Sequence, residues 1–197
     1  APRAALAHVK FDKAVCSGYP RTHQTASYVL AAQEQPPTLE IDEGLVERGN
    51  GNFPKVNSRA ELVELMRGHF SGEGVTKPGD RAIEGAELAD AAQARAVKSI
   101  RRLLREPRWH TALVVAHEGI NRLLLSWACG AGASATGAFE QDTGCINVLD
   151  FDLRSDGEIE RTMIKSVNLT PYNWLKHGMN LTSLEALFER DASEELR

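Results

Sequence analysis

The most constraining feature of the sequence is an unbroken apolar run that leads directly into a helical pattern. Residues 109–117 read WHTALVVAH, and no polar residue interrupts the run from Ala112 to Ala116. Such a run is typical of a strand in a parallel sheet that helices cover on both faces. Residues 118–127 follow at once with helical spacing. The two segments predict that His117 ends a central strand and faces the N-terminus of a helix.

Strand and helix patterns alternate along most of the chain. We predict a helix tail before Val9, strands at 11–17 and 39–42, helices at 20–35, 58–66 and 83–105, a hairpin of 145–152 with 159–167, and a last helix at 184–190. The helix at 83–105 turns an apolar face from Leu88 to Leu104 inward and leaves Arg95 and other basic residues mostly off it. Glycine, asparagine and charge predict surface loops at 44–55 and 68–80. The alternation favours a three-layer α/β/α sandwich with a mostly parallel central sheet.

Composition excludes several classes of protein. The 197 residues carry 23 Lys and Arg against 27 Asp and Glu, a net charge of −4, so no overall positive field attracts nucleic acid or an anionic membrane. The apolar runs are shorter than the roughly 20 residues of a membrane-spanning helix. We expect one cytoplasmic domain over residues 1–197. Three cysteines are too few for a disulfide framework or a zinc site, and we expect each to be a small buried side chain: Cys16, Cys129 and Cys145.

The end of the first predicted strand carries groups that suit an anion. Residues 11–17 deliver Ser17 to a turn, and Arg21 follows in the first turn of the next helix. Free N–H groups at a helix start, the positive end of the helix dipole and a guanidinium together favour a phosphate. The alternative is that Arg21 is a solvated charge, although arginine is unfavourable beside the positive pole of a helix.

His117 provides a similar arrangement at the end of the apolar strand. Its imidazole can donate to a phosphoryl oxygen, and Gly119 permits a close backbone approach at the start of the next helix. The alternative is a histidine that hydrogen-bonds only within the fold. A second anion site at a strand end of the same chain favours the phosphate interpretation.

Glu47 is a third candidate, in a loop with several glycines. A carboxylate among basic groups can protonate a leaving oxygen, whereas most loop glutamates face solvent. The five other histidines show no metal-ligand spacing, and we interpret them as surface or structural residues: His8, His23, His69, His110 and His177.

Taken together, these segments resemble the histidine phosphatase superfamily, also called the phosphoglycerate mutase-like family. The matching pieces are FDKAVCSGYPRTHQTA at 11–26, LVERGNGNF at 45–53, the acidic stretch and helix at 80–95, and LVVAHEGINR at 113–122. Phe53 stands where the family has an aromatic residue, often tryptophan. The resemblance covers nearly the whole chain, and the pieces around Arg21 and His117 are the specific ones.

The resemblance implies a phosphoglycerate mutase-like fold and a reaction through a phosphohistidine. It assigns the phosphate to Ser17, Arg21, His117, Glu118 and Gly119. Glu47 would be the acid on the leaving alkoxide and then the base on water. The implied partner is a small phosphorylated substrate, and the scheme needs neither a metal nor another cofactor.

The family's nucleophile lies in an Arg-His-Gly motif at the end of the first strand, and no Arg-His-Gly occurs in the 197 residues. Residues 1–11 match the helix just before the family's second strand. We therefore expect the sequence to lack its beginning. If it is complete, a non-catalytic phospholigand-binding relative is the better description.

Phosphatase and mutase share the same site. We favour a phosphatase because the chain lacks the long insertions of the glycolytic mutases and its 68–80 loop is short. A phosphoglycerate mutase-type phosphotransferase is the alternative. A homodimer stays open, and residues 123–127 or the strand edge at Cys145 would supply its interface.

Overall fold

The structure, a computed structural model, describes residues 2–49, 51, 58, 61 and 85–170. Its helices are α1 (Pro2–Leu6), α2 (Pro20–Leu30), α3 (Ala89–Leu104) and α4 (Glu118–Ala128). Its strands are β1 (Lys13–Cys16), β2 (Leu39–Ile41), β3 (Ala112–Val115), β4 (Ile146–Leu153) and β5 (Ile159–Leu169). Two 3₁₀ turns cover Glu43–Leu45 and Thr136–Ala138. Three predicted segments lie wholly or mostly outside the described residues: the helices at 58–66 and 184–190 and the loop at 68–80. Within the first of them, Glu61 N–H donates to Ser58 Oγ at 3.2 Å, which is the contact of the predicted capping box.

The first three strands form a parallel sheet in the order β2-β1-β3. Cys16 pairs with Ile41 on one side and with Val115 on the other, so all three strands end at the same level. This confirms the α/β class and the parallel central sheet. Among the described residues β1 has a strand on each side and β3 has one, β1, and the central position of β3 stays a prediction. Of the four residues of β3, only Leu113 is buried and the other three are half-buried.

Helices cover both faces of this sheet. Successive residues of a strand point to opposite faces, and Ala14 accordingly packs on one side with Val29 and Leu30 of α2. Val15 packs on the other side with Leu45 and with Leu103 of α3. These two clusters are the interiors of the predicted α/β/α sandwich.

Helix α3 begins later than predicted but packs as expected. It starts at Ala89 instead of residue 83, and Leu88 is its N-cap with 66% of its surface exposed, so Leu88 does not extend the apolar face. Farther along, Ala92 and Ala96 are fully buried against Ile120 of α4 and its neighbours. Small side chains at these positions let the two helices pack closely.

Helix α2 ends earlier than predicted, at Leu30 instead of residue 35. The Gln33 side chain donates to the carbonyl of Leu6 at 3.0 Å, which ties the segment after the helix to α1. A tertiary hydrogen bond of this kind is invisible to helix propensity. The predicted start at Pro20 is confirmed, because proline suits the first helical position.

The predicted hairpin is confirmed. β4 and β5 are antiparallel from Ile146 paired with Leu169 to Leu153 paired with Ile159, and Gly157 in the turn has a φ of 81°. The indole of Trp127 stacks on Phe151 at 5.9 Å between ring centroids, which connects α4 to this hairpin.

Two expectations about α4 and its end are wrong. Leu123, Leu124 and Leu125 are buried in the chain's own core, so they are not free to form an intersubunit interface. Cys129 is exposed because it follows the last turn of α4 at the surface, whereas Cys16 is buried as predicted and Cys145 is half-buried. Among the described residues, every helix is too short or too polar to cross a bilayer.

Candidate functional site

The ends of β1 and β3 bring Ser17 and His117 together. Cys16 and Val115 pair in register, and the side chains just beyond them share one edge of the sheet. Ser17 Oγ and His117 Nε2 are 2.7 Å apart, and both residues are buried. The sheet register therefore positions the two residues, which are 100 positions apart in the chain.

A directed series of hydrogen bonds fixes the tautomer of this histidine. Thr22 Oγ1 donates to the carbonyl of Tyr19 at 2.9 Å, so it accepts from Ser17 Oγ at 2.8 Å. The Ser17 hydroxyl has then used its one proton and accepts from His117 Nε2. His117 consequently carries its proton on Nε2 and presents the lone pair of Nδ1 to the site.

The guanidinium of Arg21 donates hydrogen bonds to that lone pair. Its Nε and Nη2 donate to His117 Nδ1 at 3.1 and 2.8 Å. Its guanidinium carbon lies 4.8 Å from the ring centroid of Tyr19, which itself meets the His117 ring edge-on at 5.1 Å. Arg21 is exposed at the protein surface, and its guanidinium nevertheless contacts both rings.

His117 is a neutral imidazole in this arrangement. Burial, Arg21 and Arg95 lower the pKa of His117 to about 4. An anion that bound at Arg21 would draw the guanidinium away from Nδ1 and favour a proton there. The site can thus offer a guanidinium that is always charged and an imidazole whose charge depends on the ligand.

The carboxylate of Glu47 lies at the N-terminus of α4. Its Oε2 accepts from Gly119 N–H at 3.3 Å and its Oε1 from Arg48 N–H at 2.9 Å. A Cβ atom on residue 119 would come within 2.7 Å of Oε1, so this approach requires glycine. Burial raises the pKa of Glu47, as suits a carboxyl group that gives up a proton to a leaving oxygen.

Glu118 uses its side chain elsewhere. Its Oε1 accepts from Arg122 Nη2 at 2.9 Å and from Arg122 Nε at 3.2 Å, and both side chains are largely buried. Glu118 can therefore serve an anion at the helix start through its backbone N–H alone.

Two residues around Glu47 were missed at the sequence level. Arg95, interpreted as a charge off the apolar face of its helix, donates to backbone carbonyls of the Glu47 loop. Glu87 pairs with Arg95 through both carboxylate oxygens. Helical spacing shows which side of α3 carries Arg95 but not which loop it reaches. A third missed residue, Tyr19, has no spacing signal of its own.

The arrangement as a whole suits an ester of phosphate. A guanidinium and an imidazole can contact anionic oxygens, and a half-buried carboxyl group is available to the leaving oxygen. In residues 2–49 and 85–170, no three His, Cys, Asp or Glu side chains converge as metal ligands would.

Comparison with known proteins places the chain in a family. Residues 1–162 match the model of the histidine phosphatase superfamily (branch 1). The chain belongs to the histidine phosphatase superfamily. Over 145 residues it is 28% identical to the adenosylcobalamin/alpha-ribazole phosphatase of Escherichia coli (strain K12), a match that covers 73% of this chain and 69% of that protein. The resemblance drawn from the sequence is confirmed.

Solved structures share the fold. The mycobacterial glucosyl-3-phosphoglycerate phosphatase matches with a TM-score of 0.68 at 18% identity, over 86% of this chain and 82% of that one. The alpha-ribazole phosphatase from Shigella flexneri matches with a TM-score of 0.62 at 22% identity, over 85% and 78%. At these identities the structures establish a histidine phosphatase fold.

Proposed function

We propose that this protein is a phosphomonoester hydrolase that acts on a small phosphorylated substrate through a phosphohistidine intermediate. The observation that supports this most is the meeting of Arg21, His117 and Glu47 between the strand ends and the start of α4. The relatives named as phosphatases support the same reaction class. A single domain over residues 1–197, a cytoplasmic location and a homodimer stay predictions.

Arg21 and His117 would bind the phosphoryl group. The planar guanidinium can donate to two oxygens at once, and His117 Nδ1 donates to a third after it takes up a proton. These donors neutralise charge that builds on the phosphoryl oxygens in the transition state, which is the main contribution of a protein to phosphoryl transfer. Ser17 would keep the imidazole oriented through Nε2, while the backbone N–H of Glu118 adds the positive end of α4. The backbone N–H of Gly119, also assigned to the phosphate by the resemblance, donates instead to Glu47 Oε2.

Glu47 would transfer the protons. In the first step a histidine nitrogen attacks phosphorus, the ester P–O bond breaks, and the leaving alkoxide takes the proton of the Glu47 carboxyl. In the second step Glu47 removes a proton from water, whose oxygen attacks phosphorus as the P–N bond breaks. Inorganic phosphate leaves and the free histidine returns.

The family resemblance assigns the attacking histidine to an Arg-His-Gly segment that residues 1–197 do not contain. The proposal is therefore made for a polypeptide that carries this segment.

The function is tested with an aryl phosphate, on a polypeptide that carries the Arg-His-Gly segment. We expect hydrolysis that vanadate inhibits, an acid-labile phosphorylated protein on rapid quenching, and loss of both in His117→Ala. Saturable binding of phosphorylated ligands without product would instead indicate a non-catalytic relative. Transfer of the phosphoryl group to an added alcohol in preference to water would indicate a mutase-type enzyme.

A further inference from the structure

The loop that carries Glu47 is fastened to one guanidinium. Nη1 of Arg95 donates to the carbonyl oxygens of Gly44 and Val46, both at 2.8 Å, and Nη2 donates to that of Glu47 at 3.3 Å. Partly buried carbonyls need hydrogen-bond partners of this kind. Arg95 lies inside the 16-residue helix α3, so a rigid element fixes the position of this loop.

Glu87 completes the attachment on the other side of Glu47. Its carboxylate oxygens accept from Arg95 Nε at 2.8 Å and from Arg95 Nη2 at 2.7 Å. Its backbone N–H donates to Gly49 O at 2.9 Å, and Arg48 Nε donates to its carbonyl at 2.7 Å. A two-point pair between a guanidinium and a carboxylate fixes orientation as well as distance. The backbone is therefore held both before and after Glu47.

We propose that the Arg95–Glu87 pair is a positioning device for the Glu47 carboxyl group, specific to proton transfer at the leaving oxygen. The inference rests on the proposed function, because Glu47 is the acid of that reaction. In the contacts of the described residues the pair binds the backbone around Glu47, while N–H groups of Gly119 and Arg48 bind its carboxylate. The pair thus acts through Glu47 and touches neither its carboxylate nor the Arg21–His117 group.

The planar, forked arrangement of donors on a guanidinium explains why residue 95 is an arginine. One guanidinium here serves three carbonyls and two carboxylate oxygens at once. A lysine ammonium keeps the charge but has three donors and no planar fork. Arg95→Lys should therefore leave the charge in place and loosen the loop.

The test compares two substrates with different leaving groups. p-Nitrophenyl phosphate releases a stable phenolate without an acid, whereas glycerol phosphate releases an alkoxide that needs a proton. We expect Arg95→Lys to lower kcat/KM for glycerol phosphate by about tenfold or more, since a misplacement of 1 Å can cost up to ~10²-fold. For p-nitrophenyl phosphate we expect a loss below about twofold. Glu47→Gln should show the same selectivity, and the double variant should lose little more than Glu47→Gln alone.

The matched control is Arg105→Lys, which alters an ion pair with Glu158 at the far end of α3. It should leave both substrates and the pKa of Glu47 unchanged. If Arg95→Lys does not fold, Glu87→Gln can replace it, because it weakens the ion pair with Arg95. It should likewise lower kcat/KM for glycerol phosphate more than for p-nitrophenyl phosphate. Equal losses on both substrates, or additive losses in the double variant, would overturn the inference.

A spectroscopic readout separates this inference from the proposed function. The Glu47 carboxyl carbon can be titrated by NMR in the wild type and in Arg95→Lys. Because burial raises the pKa of Glu47, release of the loop should move that pKa back towards the ordinary value of a carboxyl group. An unchanged pKa in the variant overturns the positioning role even if no turnover is seen. A wild type that does not hydrolyse p-nitrophenyl phosphate contradicts the proposed function instead.

Discussion

The site has a strand-end side, formed by Ser17, Arg21 and His117, and a loop side that carries Glu47. On the strand-end side the parallel register places the side chains, which then bond directly to one another at 2.7 to 3.1 Å. On the loop side the backbone is irregular, and its position depends on partners from α3 and from the segment before it. Under the proposed function, the sheet would set where the anion binds, while side chains distant in sequence would set where the Glu47 carboxyl group lies.

The largest expected effect is on the strand-end side. Arg21→Ala removes the only guanidinium that the described contacts place on His117, and with it the charge that would face the phosphoryl oxygens. Loss of a donor to developing transition-state charge costs about 10²- to 10³-fold in rate. We expect a fall in kcat/KM of this size for aryl and alkyl phosphates alike, measured by steady-state kinetics.

Arg21→Lys serves as the matched control, because it keeps the charge without the fork. A partial recovery is expected. An Arg21→Ala effect confined to alkyl phosphates would contradict the assignment of Arg21 to anion binding, since it would link Arg21 to proton transfer at the leaving oxygen.

The strand-end side was largely predictable from the sequence, and the reason is physical. Ser17 and Arg21 lie within five positions of each other, and His117 directly follows an apolar strand. Parallel strands end at one edge, so local patterns suffice to bring these groups together. The same reasoning predicted the start of α2 and the β4–β5 hairpin.

The loop side was predictable only in part. Glu47 was singled out from the sequence, but Arg95 lies 51 positions from Gly44, whose carbonyl it binds. Periodicity within one helix does not encode a partner at that distance. The end of α2 and the start of α3 were missed for the same reason. The hydrogen bond from Gln33 to Leu6 and the exposure of Leu88 depend on tertiary structure, which local sequence patterns do not encode.

A smaller effect is expected from pH on anion binding to the strand-end side. The pKa of His117 is lowered to about 4 in the free protein, and a bound dianion raises it. Between these two pKa values binding takes up a proton, so affinity rises as pH falls, by at most about tenfold per pH unit. Below about pH 4 the gain ends, because the free protein is then protonated too. Calorimetry with sulfate, a dianion across this range, measures both affinity and proton uptake.

Two variants assign the proton. His117→Gln removes the titrating ring and should flatten the dependence. Glu47→Gln should leave it largely intact, although burial raises the pKa of Glu47 and its neutral form also favours an anion. If Glu47→Gln flattens the curve and His117→Gln does not, the ligand-linked proton belongs to the loop side.

The smallest effect tests the contact between the two sides. Gly119→Ala places a Cβ atom within 2.7 Å of Glu47 Oε1, so the carboxylate has to move by several tenths of an ångström or more. The Arg21–His117 group keeps its contacts, because Ser17 and Tyr19 hold it from the turn between β1 and α2. We expect kcat/KM for glycerol phosphate to fall by roughly tenfold, within the range that small misplacements cost. Sulfate affinity should change by less than about twofold. A Gly119→Ala variant that loses sulfate binding as strongly as turnover would show that the helix start, not the strand ends, carries the anion, and the two sides would then be one.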